Sequence, residues 1–265
     1  MIAYLDPGHA VAERRTVEEC RSAHRDVLLQ AQNRAGDACM STTAPHRRCR
    51  TIDGIRFRYA DSGGVHERSI LLTTSWPDCR WSSTRIWTAL AEQARVFAIE
   101  LPGLGESEGT PEVRPSSMGA VLCRLIVEAT LGEPLIVAPD IVAVSAALYA
   151  AAQHPDRVSG LVVGAGAARF VQSACSAGED SDDLPTLVDL LPRITAPVTI
   201  VVVRRDGDVD RGGIKELAER LPKSRIAVIS PCKSLWRDAS VEYASVIVDS
   251  LFDTQYRHRA ASIAS

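Results

Sequence analysis

The 265-residue sequence contains no Cys-x-x-Cys spacing, no Lys/Arg-rich stripe and no uninterrupted apolar run of membrane-spanning length. Each absence excludes a class of function. The seven cysteines, Cys20, Cys39, Cys49, Cys79, Cys123, Cys175 and Cys232, are scattered and odd in number. That pattern favours reduced thiols in a cytoplasm over a disulfide framework. A formal net charge of -3 gives neither nucleic acid nor an acidic membrane surface an electrostatic invitation. No secretory signal is read at the start, where Arg14 and Arg15 precede an acidic, polar stretch. The most apolar stretch, Pro134 to Ala152, contains Asp140 and reads as a buried strand and helix. What is present is the balance of a globular protein, with 46% hydrophobic and 24% charged residues. A hydrophobic small molecule is the expected partner, without cofactor or metal. Composition leaves the oligomeric state open, a homodimer included.

Residues 1–48 differ in character from the rest and read as an N-terminal extension, with one helix over Val11 to Asn33 and an Arg-rich connector. Met40 offers an alternative start. Such a segment either docks loosely or covers a site mouth or partner surface. The domain is expected over 49–265. Thr51 to Tyr59 alternates like an antiparallel strand pair, and Ser69 to Thr74 is a short apolar run. Helices over Trp81–Gln93, Ser116–Thr130 and Ile141–Gln153 then alternate with strands over Arg95–Glu100, Pro134–Ala138 and Ser159–Gly164. Ala165 to Ala196 breaks the rhythm, with one short helical piece near Leu184–Leu191. It resumes with strand Val198–Val203, helix Gly213–Leu221, strand Arg225–Ile229 and a final helix over Asp238–Phe252. This alternation predicts the α/β class, a mostly parallel sheet with helices on both faces.

Several landmarks carry a family resemblance. Thr74-Ser75-Trp76-Pro77 follows a strand, with Trp87 further on; Glu100-Leu101-Pro102-Gly103-Leu104-Gly105-Glu106-Ser107 forms a glycine-rich turn; and His154-Pro155-Asp156-Arg157-Val158 precedes Gly160-Leu161-Val162. In order and spacing these resemble the α/β-hydrolase superfamily, in its epoxide hydrolase and haloalkane dehalogenase-like branch, from Cys49 to Phe252. The resemblance implies the α/β-hydrolase fold, with 165–196 as a very short cap.

In that family a strained strand-to-helix turn lifts the nucleophile above the sheet. Here the turn reads Ala138-Pro139-Asp140-Ile141-Val142, so the resemblance makes Asp140 the reactive carboxylate. The competing reading is that Asp140 caps the helix that begins at Ile141. Val142 stands where the family has glycine, and the spacing to His154-Pro155 is one residue longer, which predicts an altered turn. Asp206 occupies the place of the third catalytic member, with Asp208 as its neighbour and competitor. Lys233, in Ser230-Pro231-Cys232-Lys233-Ser234-Leu235-Trp236, aligns with the family's histidine. Its alternatives are a solvated loop lysine or an ion pair with Asp206 facing Asp140. Backbone amides near Ser75 and Trp76 and at Ile141 correspond to the oxyanion hole, and Trp76 and Trp236 are candidates for substrate contact. Ser145 lies a turn inside the helix without a glycine elbow. His154, His66 and His258 fall outside the motif.

An aspartyl ester is released by an activated water, and a lysine paired with a carboxylate stays protonated and does not readily supply the base. Ile141 also replaces the dehalogenases' tryptophan, and none of Tyr4, Tyr59, Tyr149, Tyr243 and Tyr256 lies in the cap segment, where epoxide hydrolases carry their tyrosine pair. The expectation is therefore non-hydrolytic acid–base chemistry such as isomerisation, elimination, rearrangement or cyclisation, of the kind this fold serves in secondary metabolism. Two alternatives stand beside it: a divergent epoxide-hydrolase-like enzyme with Asp140 as nucleophile, and a non-catalytic binding or scaffold protein.

Overall fold

The computed structural model describes residues 2–5, 46–52, 54–74, 85–109, 115–164, 166, 184–204, 211–232, 235 and 240–263. In chain order its elements are β1 (Ala3–Leu5), β2 (His46–Ile52), β3 (Ile55–Asp61), β4 (Ser69–Thr74), α1 (Arg85–Ala91), β5 (Arg95–Glu100), α2 (Pro115–Glu128), β6 (Leu135–Ala138), α3 (Ile141–Gln153), β7 (Gly160–Gly164), α4 (Leu184–Leu190), β8 (Val198–Val203), α5 (Arg211–Arg220), β9 (Ser224–Ile229) and α6 (Ser240–Ile263). Each strand and helix expected from Thr51 onward is present. The last helix runs well past the Phe252 expected as its end.

A nine-stranded sheet in the order β1-β9-β8-β7-β6-β4-β5-β3-β2 organises the chain. Strands β4 to β9 are mutually parallel, and β3 and β1 run against them. Both faces are covered, which explains why the central strands read as continuous apolar runs rather than alternating ones. Along β6, Ile136 and Ala138 face one core with α2, α3, α4 and α5, while Leu135 and Val137 face the other with α1 and α6. Ile70 and Leu72 against Leu71 divide β4 in the same way.

The N-terminal extension differs from its expected looseness at one point. Ala3–Leu5 pairs antiparallel with β9, and Ile2 packs on the second core. The register Ala3↔Val228 to Leu5↔Ile226 makes β1 leave the sheet at the end where the parallel strands begin. Because β2 is antiparallel to β3, it also starts at that end. Residues 6–45, including the helix expected over Val11–Asn33, lie outside the described residues. Their two attachment points sit at opposite edges of the sheet and at the end away from Asp140. Strand β2 also begins inside the stretch expected to be an Arg-rich connector: Arg48 and Arg50 are exposed on an edge strand, where charge discourages edge-to-edge pairing.

At the end of the sheet opposite the candidate site, Arg95 at the start of β5 donates to both oxygens of Asp61, at 3.1 and 2.8 Å, and to the Ala129 carbonyl at 3.1 Å. Burial would raise the Asp61 pKa, but Arg95 and the Gly63 amide hold it below the ordinary 3.8. A carboxyl whose folded pKa is depressed contributes stability above its unfolded pKa and loses it as pH falls through the folded value. Asp61→Asn is therefore expected to destabilise the protein by about 1–3 kcal/mol at pH 7. Urea denaturation should show that difference shrinking as the pH falls below about 4, where the unfolded carboxyl is protonated.

Candidate active site

Parallel α/β sheets bind ligands beyond the carboxyl ends of their strands, at the point where the strand order reverses. Here the chain builds outward from β4 to β5, then returns to place β6 on the other side of β4 and continues to β9. The reversal therefore lies between β4 and β6. Thr73 ties the two strands together there, its fully buried hydroxyl donating to the Val137 carbonyl at 2.9 Å. Ser75 and Trp76 follow β4, and Asp140 and Ile141 follow β6. Asp206 follows β8 and Lys233 follows β9, so every candidate position belongs to a segment leaving the same end of the sheet. Of these, Asp140 and Ile141 are described. Ser75, Trp76, Asp206, Lys233 and Trp236, with Asp208 and the rest of the expected cap over 167–183, lie outside the described residues.

Asp140 occupies the N-cap of α3 in extended backbone, φ -118° and ψ 166°, and its Oδ1 accepts the Ala143 amide at 3.0 Å. Its own carbonyl accepts the Val144 amide at 2.8 Å. A capping aspartate satisfies one of the four helix amides that lack an intrahelical acceptor. The strain expected of a nucleophile turn is absent from this residue. Among the described residues, Thr130 is the one non-glycine residue at positive φ. Val142 in place of glycine fits this relaxed turn, since the backbone adopts no conformation that requires glycine.

Close approach is supplied from the neighbouring strand instead. A Cβ on Gly164, the last residue of β7, would stand 2.2 Å from the Pro139 carbonyl oxygen. A Cβ on Gly166 would meet the Ile141 amide nitrogen at an ordinary 3.6 Å. The turn bearing Asp140 thus lies against a strand end stripped of side chains. Ile141 itself is 43% exposed, an apolar side chain presented at the strand ends beside a half-buried carboxylate.

Two residues of the first turn of α6 carry the marks of an unusual setting: Tyr243, weighed in the sequence only as a tyrosine absent from the cap, and Glu242, not singled out there. Tyr243 is fully buried in the second core, and burial, with the negative charge of Asp140, pushes its phenol above the ordinary value. Glu242, one residue earlier, accepts the Ser230 amide and hydroxyl, both at 2.7 Å. Burial would raise its pKa, but hydrogen bonds, those from Ser230 foremost, hold its carboxyl below the usual range. Ser230 follows the last residue of β9 in the segment that leads to Lys233, and the described residues Cys232 and Leu235 rest against the second core. The signal available in the sequence was position alone: both residues lie in the first turn of the helix after that segment.

The glycine-rich turn is structural. Glu100, buried at the end of β5, accepts the Glu106 amide at 2.6 Å, and Ser107 donates to the Glu100 carbonyl at 2.7 Å. Ser107 also accepts the Arg58 amide at 2.9 Å, and Arg58 pairs with Glu106. Gly103 and Gly105 turn the chain at φ 72° and 61°. Ser145 donates to the Val142 carbonyl within α3, a helix-internal bond that fits no nucleophilic role. His154 caps the far end of α3, and His66 is exposed. Among the described residues no group of His, Cys, Asp and Glu could hold a metal ion, and no helix is long and apolar enough to cross a membrane.

Solved structures with the same arrangement are numerous. A predicted CIB-like hydrolase from Thermoplasma acidophilum superposes with a TM-score of 0.64 at 17% identity, over 80% of this chain and 99% of that one. A haloalkane dehalogenase loop variant from Bradyrhizobium elkanii gives 0.60 at 16% identity, over 81% and 99%. An alpha/beta hydrolase fold protein from Chitinophaga pinensis gives 0.59 at 14% identity, over 80% and 100%. The fold is the α/β-hydrolase fold. No protein-family model and no curated protein matches the sequence.

Within the hydrolase fold, Asp140 therefore stands at the turn where strand gives way to helix but in a relaxed cap geometry. Asp140→Ala is expected to remove the cap and cost about 1 kcal/mol, while Asp140→Asn and Asp140→Ser, which also cap, should stay within a few tenths of wild type. Thermal unfolding of the three variants checks the order.

Proposed function

We propose that this chain is a hydrolase-fold enzyme that acts on a hydrophobic small molecule by acid–base and electrostatic chemistry, without a covalent ester: an isomerisation, elimination, rearrangement or ring closure. The observation that carries this reading is the relaxed backbone of Asp140, with Oδ1 held by the Ala143 amide. A proton-transferring carboxylate gains from being fixed in place by such a bond. Lys233, at the family's histidine position, supplies a cation suited to holding developing negative charge, with Asp206 as its counter-ion. Ile141 and Trp76 provide apolar and flat contact for the substrate, Ser75 a neighbouring amide, and Trp236 a further wall.

The test is a screen of hydrophobic metabolites in deuterated water, followed by mass spectrometry of substrate and protein. Solvent deuterium should enter recovered substrate or product, and Asp140→Asn should abolish that exchange while retaining the helix cap. A mass increase on the Asp140 peptide, with labelled-water oxygen in the product, would instead establish the divergent epoxide-hydrolase-like alternative. The same capping bond also supports a second reading, a non-catalytic binding protein in which Asp140 survives as a cap. That reading expects Asp140→Ser combined with Lys233→Met to leave ligand affinity unchanged.

A further inference from the structure

We propose that Thr73 is a positioning residue for Asp140, its hydroxyl bolting β6 to β4 at the point where the sheet divides. The division is visible in the strand ladders. Strands β4 and β6 pair from Ile70↔Leu135 to Leu72↔Val137 and no further. Beyond that level β4 stays with β5, through Thr73↔Ile99 and Thr74↔Glu100, while β6 stays with β7, through Ala138↔Val163. Pro139 has no amide with which to extend a β6 ladder. A fork therefore opens between β4 and β6 at the reversal of strand order, just before the turn that bears Asp140.

A single side chain spans the base of the fork. Ile70-Leu71-Leu72-Thr73 is apolar up to its last member, as a strand covered on both faces requires. Thr73 is fully buried, and burying a hydroxyl is costly unless it finds a hydrogen-bond partner. Its acceptor is the Val137 carbonyl at 2.9 Å, at the level where the backbone pairing stops. By strand alternation Thr73 shares the face of Leu71, which is the face that α3 covers. The bond thus ties β4 to the strand from which the Asp140 turn departs, on the side of the helix that Asp140 caps. On the other side, Pro139 lies against Gly164 of β7, where an added Cβ would stand 2.2 Å from its carbonyl oxygen. The root of the turn is held from both neighbouring strands, by close packing from β7 and by the Thr73 hydroxyl from β4. Loss of the hydroxyl releases the β4 side, and the carboxylate beyond it loses its fixed place.

The inference rests on reading Asp140 as the acid–base group, but its first test needs no substrate. The Ala143 amide, whose acceptor is Asp140 Oδ1, reports whether the carboxylate keeps its position. Its hydrogen exchange is followed by NMR on the full chain at low denaturant, where local opening rather than global unfolding is read. Thr73→Val keeps the shape and removes the hydroxyl, Thr73→Ser keeps the hydroxyl and removes a methyl, and Thr73→Ala removes both. Ala143 exchange should rise about tenfold in Thr73→Val and Thr73→Ala, the worth of one ordinary hydrogen bond, and stay within about threefold of wild type in Thr73→Ser. Ser250→Ala controls for general destabilisation, because it removes a buried hydroxyl bonded to Thr199 and to the Val246 carbonyl, on β8 and α6. That control should leave Ala143 exchange unchanged. With a substrate from the deuterium screen, Thr73→Val should lower kcat about tenfold with KM within about threefold, and Thr73→Ser should recover most of the loss. The proposal is overturned if Ala143 exchange in both hydroxyl-free variants stays within about twofold of wild type, if Ser250→Ala raises it equally, or if Thr73→Ser behaves as Thr73→Val. Intact turnover in Asp140→Asn would instead remove the catalytic reading and leave the exchange test of Thr73 standing.

Discussion

Gly164→Ala should be among the most damaging single-methyl additions to this chain, lowering the thermal midpoint by about 10 °C or more. The added Cβ would stand 2.2 Å from the Pro139 carbonyl oxygen and 2.9 Å from its carbon, both backbone atoms. A flexible side chain could rotate away, but a carbonyl in the turn after β6 moves only with the turn itself. That turn is held at both ends: β6 is paired with β4 and β7, and Asp140 caps α3. Relief of the overlap is therefore expected to cost about 4 kcal/mol or more, which for a chain of this size is about 10 °C. Gly166→Ala is the matched control. Its Cβ would meet nothing nearer than 3.6 Å, so its midpoint should stay within about 2 °C of wild type. Differential scanning calorimetry of both variants decides the matter, and an unshifted Gly164→Ala would mean that β7 and the turn do not approach this closely.

Much of the fold was legible because burial on both faces leaves an unambiguous mark. Strands such as Leu135–Ala138 and Val198–Val203 are short, apolar and separated by helical stretches, and a parallel sheet covered by helices is the arrangement that accommodates that sequence. Sheet edges were less legible. Ala3–Leu5 is too short to show a period and joins the sheet through a strand more than 200 residues later, a pairing that no local pattern encodes. The arginines of His46–Ile52 read as connector for a related reason: an exposed edge strand carries charge on positions that a half-buried strand would keep apolar.

For the candidate site, the place of Asp140 in the fold was legible and its conformation less so. Sequence order placed Asp140 at the end of β6, and its two roles, elbow nucleophile and helix cap, differ by a rotation about the backbone that residue identity does not specify. Val142 and the longer spacing to His154-Pro155 were the hints of an altered turn, and the capping bond to Ala143 agrees with them. Glu242 escaped notice, and Tyr243 was weighed only as a tyrosine outside the cap segment, because their settings are tertiary. Glutamate in the first turn of a helix is ordinary, and its meeting with Ser230 depends on how β9 and α6 pack.

Gly119→Val is expected to show why α3 is so rich in alanine. Gly119, in α2, faces α3 so closely that a Cβ would lie 2.7 Å from Tyr149 Cδ1, 3.0 Å from its Cβ and 3.2 Å from the Ala146 carbonyl. Ala143, Ala146, Ala147 and Ala150 are all buried on the facing helix. Replacing an exposed helical glycine by alanine stabilises by about 1 kcal/mol, so propensity alone predicts a gain at this position. Packing opposes it, because two of the three nearest atoms, Tyr149 Cβ and the Ala146 oxygen, are fixed by the helix. Gly119→Ala should therefore lose the propensity gain and come out neutral to mildly destabilising, whereas the branched Gly119→Val should cost about 2–4 kcal/mol. Tyr149→Ala removes the ring but not the Ala146 carbonyl. The double variant should accordingly recover part of the loss and not all of it, a coupling that urea denaturation of the four proteins in the cycle measures. If Gly119→Ala instead raises stability by the full propensity gain, the two helices are not in contact at this point.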